Sequence, residues 1–451
     1  MTAKHRVRPK KRGEFGTLRK SLGARLFTFP VTAISGVGST YLLVSHYGAI
    51  SFGAISLLAT LFLLIPFTDF GMGAPIMSGV ADPTKTLVSK AQLVARVFWF
   101  LIFSSLVLVA LVTTLSRFVS WSAILGNEHL NRSQFDHAFV AVVAIFVISI
   151  PFGIGSRILI GIGLNHVAIA IAGLSSLVNL ACTYVFVNTQ ISPPYAAIAP
   201  SLGILFSAIV GFVIALNRLQ MHPRLLLIPG KLRIRELFKT SGPMFIVMLM
   251  IPVAFQSHRI LISRYADPID LSVYSIAMQI YVPIWSLVST SAVALWPIFA
   301  NKRQARMDTA KLYRKALALF TLGGVLISCA IILIGPVFAA VVSDASIELS
   351  TSILIALGFL LIVQCVQQVP GMFLTSEVGL AFQARSVVVM CVVAIVLGIY
   401  LTKNFGAIGP LLATACAVLC CQVIPGLWKS RSMHDDGQMQ DEGSFLAKES
   451  S

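Results

Sequence analysis

Apolar stretches of about twenty residues, parted by short polar breaks, follow one another along the whole chain. About 20 mainly apolar residues suffice for a helix to cross about 30 Å of hydrocarbon, so each stretch predicts a membrane span. Twelve are read: Leu22–His46, Ser51–Ser78, Ala91–Leu115, Phe135–Ile160, Val167–Val187, Tyr195–Leu216, Gly242–Ser263, Ser272–Phe299, Ala316–Val342, Ser350–Leu374, Val387–Thr402 and Ala407–Trp428. The eleventh is short, and the number falls to eleven if that stretch is re-entrant.

Composition agrees. Of 451 residues, 57% are hydrophobic and 11% charged, where a soluble domain carries about 25% charged residues; the mean hydropathy is +0.88. A soluble enzyme is thereby excluded, and the fold class expected is an all-α integral membrane protein. The seven cysteines all lie in apolar stretches without a CxxC pair, so they read as packing residues, and no disulfide, metal or cofactor is inferred.

Lys and Arg total 34 against 17 Asp and Glu, a net +17. Placement matters more than sign. Nine of the cations crowd the first 25 residues, and a basic arm running straight into serial spans marks a cytoplasmic start rather than a nucleic-acid arm. The first run outlasts the roughly 7 to 15 apolar residues of a secretion signal and so reads as a span that stays. With the N-terminus inside, cytoplasmic segments hold 29 cations, and outer segments hold only Arg117, Arg132, Arg259, Arg264 and Lys403. That split satisfies the positive-inside rule and predicts a multi-pass plasma-membrane protein with both ends cytoplasmic.

The expected organisation is a basic arm over 1–21, a six-helix lobe over 22–217, a basic inter-lobe loop over 218–240, a second six-helix lobe over 241–428 and a polar tail over 429–451. The halves look alike. AIAP at 197–200 matches AIGP at 407–410, an offset of 210, and SHYGAISFGAI sits where SRYADPIDLSVYSI sits later, an offset of 217 to 221. Both halves carry a proline late in their second span, Pro75 and Pro297, and one in their fourth, Pro151 and Pro370. Six spans per half give two like-oriented repeats, a design that places a pathway between lobes able to rock.

An ionisable group deep in the bilayer costs about 3 kcal/mol or more and marks a functional candidate. Asp69 lies about 27 Å along its inward-running span and falls at the cytoplasmic rim. Arg259 lies about 25 Å along an outward-running one, where two readings stand: it snorkels to the surface or lines a cavity. His258 points about 100° away from it. Arg25, Lys90, Arg96 and Arg157 sit near inner ends of spans, as anchors or as a cationic mouth for an anionic headgroup. Mid-depth holds neutral polar groups, Asn179, Gln364, Gln367 and Gln368, and no carboxylate. The outer loop from Ser116 to Gln134 offers Glu128 and His129 without a second partner for acid–base chemistry, and no GxxxxGK[ST] loop for ATP is present.

The stretch Tyr47–Met77, with Tyr47, Gly48, Asp69, Gly71 and Gly73, resembles the polysaccharide transporter (Wzx-like flippase) branch of the MOP superfamily, which includes the MATE exporters. HRILISRYADPIDLSVYSIAMQ, with Arg259 and Tyr274, is similar to the family's seventh-to-eighth span junction, and FGAIGPLLATA to the start of its last pair of spans. Family members commonly have Asp before the arginine, where this chain has His258, so no ion pair is carried over there. The resemblance implies a twelve-helix, two-lobed, MATE-like transporter. It would flip polyprenyl-diphosphate-linked oligosaccharide from the inner to the outer leaflet for cell-surface polysaccharide biosynthesis, by alternating access. Such a headgroup cannot cross hydrocarbon unaided, because its desolvation is too unfavourable. Arg25, Arg96, Arg157 and Arg259 are the expected diphosphate contacts, and Asn179 and Gln367 the expected sugar contacts. Partners expected are the lipid-linked oligosaccharide, the bilayer, and glycan polymerase and assembly enzymes. Two other functions make distinct demands on the sequence. A MATE-type multidrug or metabolite antiporter predicts a buried acidic coupling residue, and a membrane glycosyl polymerase predicts an outer loop with paired acids.

Overall fold

The computed structural model describes residues 12–61, 72–82, 84–126, 129–221, 242–293, 295–296, 298–299, 309–375 and 377–432. Among these residues every regular element is a helix, as lipid demands: with no water to bond exposed backbone groups, a span must satisfy them internally. In order they are α1 (Arg12–Tyr47), α2 (Ala49–Thr60), α3 (Gly73–Ala81), α4 (Leu87–Leu115), α5 (Trp121–Ile124), α6 (Arg132–Gly161), α7 (Asn165–Asn188), α8 (Ile198–Arg218), α9 (Gly242–Tyr265), α10 (Pro268–Val293), α11 (Ala310–Ser343), α12 (Thr351–Phe373), α13 (Glu377–Phe405) and α14 (Ile408–Val418). Helix α14 continues through a π-helical turn at Leu419–Val423.

Ten described helices are long and apolar enough to cross a membrane. They coincide with ten of the twelve predicted spans. The second predicted span falls on α2 and α3, with residues 62–71 between them outside the described set, as are Asp69 and Gly71. The seventh falls on α9, which is 24 residues long but is not among the ten. The start of the basic arm, most of the inter-lobe loop, Glu128, Pro297 and the end of the tail also lie outside the described residues.

Local chemistry fixes the helix ends. The Thr86 hydroxyl accepts from the Ser89 amide at the start of α4, and Ser350 accepts from Ile353 at the start of α12, each matching a donor the first turn would otherwise leave bare. Between α3 and α4, the hydroxyl of Thr84 and then its amide hold the Asp82 carboxyl below the usual carboxylate range. Asp344 closes α11 in the left-handed region at φ 51°.

The chain forms two compact units. The first comprises residues 1–39, 67–119 and 137–237; the second comprises 40–66, 120–136 and 238–451. In the first, Phe98 of α4 stacks on Phe212 of α8 at 4.9 Å, with Phe152 of α6 set edge-on to both. Gly155 lets α6 approach the α8 backbone so closely that a Cβ would stand 2.5 Å from Phe212 Cα. In the second unit α12 is a central helix, with 61% of its apolar window buried. The Ser328 hydroxyl bonds across from α11 to the Gly358 carbonyl at 2.9 Å. Phe27, Phe103, Leu333 and Val396 are exposed, as expected of side chains whose solvent is lipid.

A candidate substrate site on the ninth and tenth helices

Helices α9 and α10 are joined by residues 266–267 and present adjacent residues of opposite surroundings. His258 and Arg259 project about 100° apart on α9. His258 is 1% exposed. Its Nδ1 lies 3.0 Å from the Tyr274 hydroxyl on α10, and its Nε2 lies 2.5 Å from Thr414 Oγ1 on α14. An imidazole with one proton donates through one nitrogen and accepts at the other, so the ring ties three helices together with no polar atom left over.

Arg259 is partly buried. Its Nη1 donates to Ser56 Oγ at 2.6 Å and to Ser275 Oγ at 2.7 Å. Ser56 in turn donates to Ser275 at 2.9 Å, and Ser275 donates to the Leu271 carbonyl at 2.6 Å. The donor directions form one chain, running from guanidinium to backbone. The Arg259 Cζ stands 5.5 Å from the centre of the Tyr274 ring, within reach of a cation–π attraction. Among the described residues, hydroxyls and this ring surround the charge, and no carboxylate pairs with it.

Around this node, segments from the first half of the sequence are bonded to α9 and α10. The Ser272 hydroxyl donates to the Ala49 carbonyl at 2.5 Å, and a Cβ on Gly53 would stand 2.6 Å from Ser272 Oγ. Gln279 donates to Thr40 Oγ1 at 2.6 Å, Ser263 to the Leu125 carbonyl at 2.5 Å, and Arg264 to the Ala123 carbonyl at 2.6 Å. Gly126, at φ +72°, meets the Ser263 carbonyl where a Cβ would stand 2.6 Å away. A cavity of about 410 Å³ opens beside these contacts, lined by Ile50, His129, Arg264 and Leu271 among others.

The second unit also holds a smaller polar pocket of about 10 Å³, lined by Gln367 and Pro370 of α12, Gln383 and Ser386 of α13, and Gln422. Gln383 donates to the Gly371 and Leu374 carbonyls. The Gln367 Oε1 and the Gln422 Nε2 are buried without a hydrogen-bond partner among the described residues.

Of the six residues singled out from sequence, Arg259 and Gln367 belong to the second unit, and Arg25, Arg96, Arg157 and Asn179 to the first. Arg25 and Arg157 are exposed on α1 and α6; Arg96 is partly buried on α4, with its Nε buried and without a hydrogen-bond partner among the described residues. Asn179 of α7 donates to Ser39 Oγ at 3.3 Å, an interhelical bond of the kind polar groups make in lipid. Sequence reasoning missed Ser56, Ser275, Thr414 and Gln422. The one signal for the serines was their spacing: 219 residues separate them, inside the offset relating the two halves.

Residues 41–302 match the model of a family described as polysaccharide biosynthesis protein. No curated protein matches the sequence. Among solved structures, the chain is similar to a multidrug resistance MATE family transporter of the MOP superfamily in an inward-facing conformation, with a TM-score of 0.70 at 15% identity over 90% of this chain and 96% of that one. It is also similar to the lipid II flippase MurJ in an inward closed conformation, with a TM-score of 0.65 at 17% identity over 90% of this chain and 87% of that one. A third is a MOP superfamily transporter from Pyrococcus furiosus, at 0.58 and 14% identity over 94% and 96%. Identities this low speak for the fold. With the family match spanning more than half its length, the chain belongs to the polysaccharide biosynthesis protein family, as a multi-span membrane protein built on the fold of the MOP-superfamily transporters.

Proposed function

We propose that this protein is a flippase, not an enzyme, that moves polyprenyl-diphosphate-linked oligosaccharide from the inner to the outer leaflet of the plasma membrane by alternating access of two six-helix lobes. In this reading the chain crosses the bilayer twelve times with both ends cytoplasmic, so Arg259 lies toward the outer third. Arg25, Arg96, Arg157 and Arg259 meet the diphosphate, Asn179 and Gln367 meet sugar hydroxyls, and the prenyl tail stays in lipid. Glycan polymerase and assembly enzymes are its expected neighbours.

The observation that carries the proposal is the Arg259 node. A cation on a membrane span is costly unless it is paired or serves a polar pathway, and among the described residues this one is matched by hydroxyls and a ring alone. A guanidinium presents donors in a fork that suits phosphate oxygens, and a hydroxyl-lined setting leaves it the charge to attract them. The test is to deplete the protein and measure which leaflet holds the lipid-linked sugar. The flippase reading expects accumulation in the inner leaflet. Unchanged sidedness together with altered drug tolerance would replace it with the antiporter.

A further inference from the structure

Gly53 and Ser56 lie about one turn apart on α2, and Ser272 and Ser275 lie likewise on α10. Gly53 touches Ser272 and Ser56 bonds Ser275, 219 residues away. Both contacts therefore join positions that the repeat of 217 to 221 residues makes equivalent. Equivalent positions of two like-oriented repeats meet only near the axis that relates them, where a surface is its own complement. Both helices lie in the second compact unit, so an opening between the sequence repeats at this end parts α2 from α10 within that unit. Small residues on both helices allow the close approach, and the Arg259 guanidinium, from a third helix, spans the pair.

Both hydrogens of Nη1 are spent on the two serine oxygens. Those oxygens stand where two oxygens of a diphosphate would stand on the same nitrogen. A neutral hydroxyl is a weaker acceptor for a guanidinium than an oxyanion, because the charge-assisted bond is roughly twice as strong. We infer that Ser56, Ser275 and Arg259 form a closure latch that a diphosphate loosens: Nη1 serves either the two serines or the anion, and binding the anion leaves the α2–α10 contact to the Ser56–Ser275 and Ser272–Ala49 bonds alone. This inference rests on the reading of Arg259 as a diphosphate contact. Its consequence is that the outer side opens when cargo is present and stays shut when the site is empty, so the site is not left open to passing ions.

The test uses the full-length protein in detergent, with the native cysteines replaced and Leu271→Cys as the reporter thiol. Leu271 is 5% exposed and its Cβ would stand 3.2 Å from a Cβ on Gly53, so maleimide labelling there reads the parting of the helices. Ser56→Ala with Ser275→Ala is expected to raise the labelling rate about tenfold, the scale set by losing hydrogen bonds to a charged group. Ser56→Thr, which keeps the hydroxyl, is expected to label slowly. Inorganic pyrophosphate is expected to speed labelling of the reporter protein saturably, and to have no effect after Arg259→Gln. Labelling unmoved by the double alanine variant overturns the latch. Pyrophosphate that binds by calorimetry in an Arg259-dependent way, yet leaves labelling unchanged, overturns the exchange while the diphosphate reading stands. Binding that is the same after Arg259→Gln removes both.

Discussion

The second unit contains two polar sites built to opposite ends. At the Arg259 node Nη1 and the Ser56 and Ser275 hydroxyls each meet an acceptor, and the helices close on one another through Gly53, Ser56, Ser272 and Ser275. At the glutamine pocket an acceptor, Gln367 Oε1, and a donor, Gln422 Nε2, remain unmet across a space of about 10 Å³. The difference is one of reach and backbone regularity. A serine hydroxyl is short and sits on a regular helix, so contact between backbones and contact between hydroxyls come together. Gln422 sits on a π-helical turn, an irregularity often found at functional positions. Pro370 lies within the last turn of α12, and a Cβ on Gly426 would stand 3.3 Å from the Pro370 side chain.

Substitutions separate the two sites by size and sign of effect. Arg259→Gln has the largest: it removes the charge at the matched site, and headgroup translocation in reconstituted vesicles is expected to fall roughly ten- to a hundredfold with membrane insertion intact. A rate within twofold of the unmutated protein would place the diphosphate elsewhere. His258→Leu strands the Tyr274 and Thr414 hydroxyls, at about 1–3 kcal/mol each. Thermal unfolding in detergent is expected to shift downward, and a smaller shift for His258→Gln would tie the loss to hydrogen bonding rather than volume. Gly53→Val puts a branched side chain against Ser272 and is expected to cost about 1–3 kcal/mol as overpacking; unchanged stability would mean that the α2–α10 contact is looser than its distances. Gln422→Leu has the smallest effect. Its amide donor is unmet already, so unfolding is expected within about 1 kcal/mol of the original or slightly stabilised, and a large loss would reveal a partner for Nε2.

Hydropathy alone located most of the helices, because a span in lipid is set by apolar length and little else. It fared less cleanly at α9, where His258, Arg259 and Arg264 dilute the apolar run, although the helix itself forms over the predicted stretch. The site was legible one residue at a time. Arg259 stood out because a deep cation is conspicuous against an apolar background, and His258 because it departs from the family pattern. Their partners did not stand out. Serines are frequent, and pairing residue 259 with residue 56 or residue 258 with residue 414 requires the chain to be folded first. The repeat offset held the only clue to Ser56 and Ser275. Nothing in the sequence marks the π-helical turn, since one extra residue in a helix leaves composition unchanged. Asp69 and Gly71, which carried part of the family resemblance, lie outside the described residues.

Movement of a lipid-linked anionic glycan across the bilayer can be followed with the isolated protein. Purified protein is reconstituted in vesicles containing a fluorescent polyprenyl-diphosphate-linked oligosaccharide, and the fraction reached by a membrane-impermeant glycosidase is followed over time. A flippase makes the protected fraction accessible only in vesicles holding the protein, and Arg259→Gln is expected to slow this. Accessibility that rises equally in protein-free vesicles, or stays fixed with active protein present, would contradict it.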